Sequence, residues 1–352
     1  MAQPVQEWLK RGGWRRPGSW LLAVALIAVV GYYGLHAYLG DSGSPVRLVV
    51  YAFSTQEQVL SDGVFPAFEA AWEAETGRDL QLEAVFGASG TLAGQINLGA
   101  PADIALLSTA EHVDWLRLGR RVGKDIQPSI IGCTPMVIVT RPGNPWGITG
   151  FSSLAQDGLR LLHSDPQSSG AGEWSVLAEY GSALLEAGDP AAARAQLSAI
   201  WHNVRVLAPS ARAAMTLFEL GAADALVTYE QDAMLAKQRG AALEVVTPPH
   251  TIVARHAAVV VDDNVTHAER PVAEALLGYL AGDAGLGILA AHHMRPPSCQ
   301  SQVLPTLAEP FTVEDLGGWS RAYEELVKGL WQTEIAPGLS LEPAPRLPEV
   351  GE

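Results

Sequence analysis

Apolar residues recur along this chain in short unbroken runs, each followed by a few small polar residues and then an amphipathic stretch. Arg47 to Phe53 (RLVVYAF) reads as a buried strand, because a bounded apolar run of this length is too short for a core helix. Ser54-Thr55-Gln56 forms a polar turn, and the amphipathic helix after it ends with FPAFEAAWEAET at Thr76. LQLEAVF (80–86) is a second strand, running into Gly87-Ala88-Ser89-Gly90 and a helix, TLAGQINLG. ADIALLS (102–108) is a third. Strand, turn and helix alternating in this way predict an α/β domain with a mainly parallel sheet.

A second set of elements opens with the strands PMVIVT (135–140) and RLLHS (160–164). It continues with a helix after Glu173, the strand VRVLA (204–208), the helix AAMTLFELG and the strands ADALVTY (223–229) and EVVTPP (244–249). The strand HAAVVVD (256–262) and a helix from Pro271 to Ala281 return to the style of the first set. The tail after Ala336 is rich in proline and reads as disordered.

The first 45 residues stand apart. Trp20 to Leu39 carries no Asp, Glu, Lys or Arg and is long enough to cross a bilayer as a helix. Lys10, Arg11, Arg15 and Arg16 precede it, which puts the N-terminus in the cytoplasm and the bulk of the chain outside. A membrane anchor at 20–39, behind a stub at 1–19, is the preferred reading, because the apolar run is long and no A-x-A site follows. A cleaved signal sequence is the alternative. Residues 40–45 (GDSGSP) form a short tether.

Net charge is −15, against the basic face that nucleic acid requires. Cys133 and Cys299 are too few for a disulfide framework and read as unpaired thiols, with a single disulfide the alternative in an oxidising compartment. There is no G-x-S-x-G, C-x-x-C or H-E-x-x-H motif, so neither a nucleophile elbow nor a metal or cofactor site is expected. Glu230 and Asp232 could form an acid pair, but acids in a helix's first turn are common partners of its dipole.

Four small loops fall at strand ends just before helices: Ser54-Thr55, Gly87-Ser89-Gly90, Ser168 to Ala171, and Pro209-Ser210-Ala211-Arg212. Ligands of open α/β sheets sit at that edge. Each loop alone is an N-cap. Together they suggest converging hydroxyls and backbone N–H groups, which suit an anion.

The residues that carry a family resemblance are spread over about 51–335. They are FPAFEAAWEAETG, FGASGTLAGQINLGAPADIALLS, MVIVTRPGNPWGI, SDPQSSGAGEWSVLAEYGSAL, NVRVLAPSARAAMTLFELGAADALVTYEQDAML, RPPS and FTVEDLGGWSRA. In these stretches the chain resembles the periplasmic sulfate-binding proteins of ABC transporters, a type II solute-binding protein family, and more distantly the molybdate-binding ones. The resemblance implies two α/β lobes joined by crossing strands and closing on a ligand in the interlobe cleft. It divides the chain into a first lobe at 46–132, a second at 133–252, the rest of the first at 253–335, and a tail at 336–352.

Carried over residue by residue, the resemblance implies that Ser89 holds the anion through its hydroxyl. The backbone N–H groups of Ser169, Gly170, Ala171 and Ala211 would complete the set, with Arg212 as a charge behind the loop. Ser54 stands where the sulfate family has an aspartate, and Tyr229 where it has a tryptophan. Both substitutions look more like the molybdate family. The implied function is capture of sulfate, or a similar tetrahedral oxyanion, outside the cytoplasm for an ABC permease and its ATPase, by a monomer that is not an enzyme. A molybdate or tungstate binder and a membrane-tethered oxyanion sensor are the alternatives. A hydrolase built on Ser89 or Ser169 would need a base that no motif supplies.

Overall fold

The structure, a computed structural model, describes residues 45–343. The expected stub, the anchor at 20–39, the tether before Pro45 and the tail beyond 343 lie outside them. Among the described residues no single helix is long and apolar enough to cross a membrane.

In the first lobe, β1 (Val46–Phe53) lies parallel between β2 (Leu80–Gly87) and β3 (Ile104–Leu107). In the second, β5 (Leu161–Ser164) lies parallel between β6 (Val204–Ala208) and β7 (Ala225–Tyr229). Two long strands join the groups: β4 (Ser129–Thr140) and β9 (His250–Val260). β9 is antiparallel to β3 and to the first half of β4, and the second half of β4 is antiparallel to β7. The sheet therefore runs β2-β1-β3-β9-β4-β7-β5-β6. A short strand β8 (Glu244–Val246) pairs with β4, and β10 (Glu309–Phe311) with β9.

Both crossing strands start about six residues before the sequence pattern places them, and the reason is local. Pro135 reads as a strand start because it lacks a donor for a sheet ladder. In the structure it sits where β4 leaves β9 (Pro135 opposite Val253) for β7 (Met136 opposite Tyr229), so the missing N–H falls at a change of partner.

Helices cover the sheet. α1 (Phe65–Thr76) and α8 (Arg270–Ala281) bury Phe65, Phe68, Val272 and Leu276 against Leu48, Val50, Ile104 and Leu106. α4 (Gly170–Ala187) and α5 (Pro190–His202) bury Trp174, Leu177 and Trp201 against Ile138, Leu161 and Val227. Within that second core, Glu179 lies 2.6 Å from His163 Nε2 and accepts the Trp201 indole N–H at 2.7 Å.

The C-terminal segment departs from expectation. Phe311, Leu326, Leu330 and Trp331 join the second-lobe core, whereas the sequence assigned 253–335 to the first lobe. Each such buried side chain contributes about 1.5–3 kcal/mol, and Trp201 and Trp331 meet edge to face at 5.2 Å. The tail is also ordered where it is described: Ala336–Gly338 makes a 3₁₀ turn, Leu339 packs on the same core, and the Glu342 N–H donates to the Arg205 carbonyl at 2.7 Å.

Cys133 and Cys299 form a disulfide, contrary to the reading as unpaired thiols. Backbone pairing of Cys133 with Arg295, at 3.0 and 3.1 Å in the two directions, brings the later segment alongside β4. Glu230 and Asp232, the candidate acid pair, go separate ways. Glu230 is gripped by Arg295 at 2.7 and 2.8 Å. Asp232 is fully buried, accepts from Thr228 Oγ1 at 3.2 Å, and leaves its Oδ1 without a partner. Burial pushes its carboxyl up to about 6, only partly countered by Arg212.

Two outcomes are expected. Cys299→Ser should lower stability by about 2–5 kcal/mol, read from the denaturation midpoint, because the crosslink spans 166 residues. Asp232 titrates higher in the folded chain than in the unfolded one, so its contribution favours folding while it is protonated and is lost as pH rises from about 4 to 6. Asp232→Asn should therefore be more stable than the parent above about pH 6, by about 2–3 kcal/mol. Denaturant titrations should show that advantage vanishing near pH 4.

Candidate functional site

The carboxyl ends of β1, β2, β3 and β7 and the starts of the second lobe's helices meet at one cleft. Phe53, Ser54 and Thr55 come from the end of β1, Gly87, Ala88 and Ser89 from β2, and Ser108 from β3. Ser169 and Ala171 come from the start of α4, Ala211 from the start of α6 (Ala211–Glu219), and Tyr229 from the end of β7. The space left between them is about 10 Å³. Sites for drug-sized ligands run to about 300–1,000 Å³, so this closed cleft excludes a sugar or a peptide.

Every lining side chain is neutral. The charge that the cleft offers is therefore dipolar. Helical segments begin at Ser54, at Ser89 (α2, Ser89–Asn97), at Gly170, and at Glu230 (α7, Glu230–Gln238). In none of these four does the N-cap side chain accept from the first N–H groups, although the Gln231 N–H of α7 donates to Thr134 Oγ1 at 3.2 Å. α6 differs from these four in being capped, by Ser210 accepting from the Ala213 N–H at 3.2 Å. The first N–H groups of a helix have no intrahelical acceptor, so Gly170, Ala171 and Ala211 carry donors free to meet an anion.

Three hydroxyls add to them. Thr55 Oγ1, Ser108 Oγ and Tyr229 OH are buried with no partner at full hydrogen-bond geometry, although the Ser108 side chain lies close enough to Tyr229 to act on its hydroxyl. A buried unpaired hydroxyl costs about 1–3 kcal/mol, so three around one cleft suit a ligand that brings acceptors. Burial raises the Tyr229 hydroxyl well above its ordinary range, so it is a donor at any physiological pH. His256 stands behind Ser108, within 3.2 Å of its carbonyl, and burial pushes it down to about 4, leaving it neutral.

The two lobes touch around the cleft. The Ser168 carbonyl accepts the N–H groups of Gly90 at 3.0 Å and Thr91 at 3.2 Å. The Trp174 indole donates to the Ser108 carbonyl at 2.9 Å, and the Gln56 amide donates to Gln231 Oε1 at 2.8 Å. Gly170 is the closest approach. A Cβ placed there would lie 2.0 Å from Ser108 Oγ and 2.8 Å from Thr109 Cγ2, so no side chain fits.

Of the residues singled out in the sequence, Ser54, Ser89, Ser169, Ala171, Ala211 and Tyr229 all line the cleft. Gly170 adjoins it through Ser108. Two assignments need correction. The Ser169 N–H is already donated to the Asp165 carbonyl at 2.8 Å, closing the turn before α4, so it is not free for an anion. The Ser89 hydroxyl is also engaged: it accepts the Ser108 N–H at 2.9 Å and lies 2.8 Å from His112 Nδ1. Arg212 stays outside the lining, 3.9 Å from Glu57 across the lobes.

Thr55 and Ser108 line the cleft but were not among the residues assigned to the anion. Ser108 obeys the rule that found the others, since it ends a strand just before a helix, but no glycine marks its loop. His112 and Glu173, which meet at 3.1 Å with both side chains 1% exposed, are 61 residues apart and carry no periodic signal.

A family of bacterial extracellular solute-binding proteins matches residues 49–295. The sulfate-binding protein of Escherichia coli is 32% identical over 74% of this chain and 83% of its own length. The thiosulfate-binding protein of Pseudomonas aeruginosa is 32% identical over 71% of this chain and 78% of its own length. Among solved structures, the sulfate-binding protein SubI of Mycobacterium tuberculosis is 26% identical, with a TM-score of 0.73 over 80% of this chain and 99% of its own. With a two-lobed sheet joined by crossing strands and a donor-lined cleft at the carboxyl ends of its strands, this chain belongs to the bacterial extracellular solute-binding protein family.

Proposed function

We propose that this chain captures sulfate, or a closely similar tetrahedral oxyanion, outside the cytoplasm and delivers it to an ABC permease. It is a binding protein and not an enzyme, as its relatives are. The observation that carries the ligand class is the cleft itself: small, closed between the lobes, and lined by N–H and O–H donors with no charged side chain. A fully ionised oxyanion only accepts hydrogen bonds, so donors alone satisfy it. Helix dipoles add to them, and contact between the lobes lowers the local dielectric in which they act.

The same lining argues against hydrogen phosphate. Its proton wants an acceptor, and no carboxylate lines the cleft to receive it. Leaving that donor unpaired costs about 1–3 kcal/mol. Ser54 and Tyr229 favour a second reading, molybdate or tungstate, because the sulfate-family aspartate and tryptophan are absent there. The ligand would be bound by a monomer, held at the membrane if residues 20–39 act as an anchor.

Calorimetric titration of the protein with sulfate, thiosulfate, molybdate and phosphate at neutral pH tests the reading. Sulfate should bind one to one and at least about tenfold more tightly than phosphate. Heat with none of the four would overturn it, and preference for molybdate would move the assignment to the second reading. Tyr229→Phe removes a buried donor to a charged ligand and should weaken binding about 10- to 100-fold in the same titration. Gly170→Ala drives a methyl group into Ser108. It should stay folded by circular dichroism yet lose at least about tenfold in affinity, because the lobes no longer meet at that point.

A further inference from the structure

Ser89 has one proton and two claims on it. Its Oγ accepts the Ser108 N–H at 2.9 Å, which fixes the hydroxyl at the cleft wall. His112 Nδ1 lies 2.8 Å away on the other side. If Nδ1 has a lone pair, the serine proton turns back to the imidazole and a serine lone pair faces the anion. If Nδ1 carries a proton, it donates to Ser89 Oγ and the serine proton is released into the cleft. Only the second arrangement makes Ser89 a donor.

The surroundings favour it. His112 Nε2 is 3.1 Å from Glu173 Oε1, with both side chains 1% exposed. Glu173 Oε2 has no partner, so His112 is the group that answers the carboxylate. Glu111 on the same helix, α3 (Ala110–Leu118), is a second acid nearby. Burial raises Glu111, and Glu173 raises it further while His112 lowers it. The other titratable groups around the pair are Asp114 on α3, Tyr229 at the end of β7, His256 on β9 and Tyr323 of the C-terminal segment, whose ring packs on Trp115 against His112. None of them is a cation.

We propose that His112, held by Glu173, is a positioning residue that makes Ser89 an anion donor by giving its Nδ1–H to Ser89 Oγ. The second proton is shared between Nε2 and Glu173 Oε1. This inference rests on the oxyanion reading above. Charge points the same way as hydrogen bonding: with both protons the pair is neutral overall, and without one it places a negative charge directly behind a bound anion. Anion binding and proton retention therefore favour each other, and by linkage each strengthens the other equally. Sulfate affinity is therefore highest while the pair keeps its second proton.

The test is nitrogen-15 NMR of the histidine rings in the whole protein saturated with sulfate, with His112 assigned by the signals missing from His112→Gln. A proton bonded to Nδ1 in the complex is the expected result. Where the ring signals report loss of that proton, the dissociation constant for sulfate should rise in parallel, and Ser89→Ala should shrink that rise to the part that comes from charge alone. A lone pair on Nδ1 in the sulfate complex, or a dissociation constant that stays level while the proton is lost, overturns the proposal and leaves the oxyanion reading standing. Failure of sulfate and the other oxyanions to bind at all would bring down that reading itself.

Discussion

Where Gly170 meets Ser108, backbone from one lobe rests on a serine hydroxyl from the other with no room for a side chain. The cleft depends on that approach. It brings the free N–H groups at the start of α4 within reach of the hydroxyls at the ends of β1, β2 and β3. Neighbouring contacts repeat it: the Ser168 carbonyl on the N–H groups of Gly90 and Thr91, and the Trp174 indole on the Ser108 carbonyl. The crossing strands β4 and β9 make the approach possible, since they are the backbone common to both lobes.

This arrangement reconciles a chain of net charge −15 with an anionic ligand. Long-range attraction does not assist it, and net charge bears mainly on the rate of encounter. Affinity comes from dipoles and donors fixed in place before the ligand arrives, acting where water is excluded. Keeping cations out of the lining has a further consequence. A neutral site discriminates by counting donors and acceptors, so a proton on the ligand matters as much as its charge. Arg212, a cation on one of the loops, lies 3.9 Å from Glu57 and acts on the buried Asp232, and does not line the cleft.

Much of this was legible in the sequence because buried strands and small-residue loops leave simple traces. The apolar runs located β1, β2, β3, β6 and β7, and the loops ending at Ser54, Ser89, Ser169 and Ala211 all reach the cleft. What stayed hidden was fixed by tertiary contact. Pro135 masked the length of β4 because a change of strand partner cannot be read from one strand. The C-terminal segment joined the second lobe because Trp331 finds Trp201 there. The Ser169 N–H was lost to a turn with Asp165, and His112 met Glu173 from a different element. The Cys133–Cys299 bond depends on a backbone bridge to Arg295 that spacing does not reveal.

The central claim is that an oxyanion is held across the two lobes by neutral donors alone. A crystal structure of the sulfate complex tests it most directly. Sulfate oxygens should lie within about 3.2 Å of the N–H groups of Gly170, Ala171 and Ala211 and of cleft hydroxyls, with no ammonium or guanidinium nitrogen among the partners. Sulfate bonded directly to Arg212 or another cation, or seated away from the cleft, would contradict it.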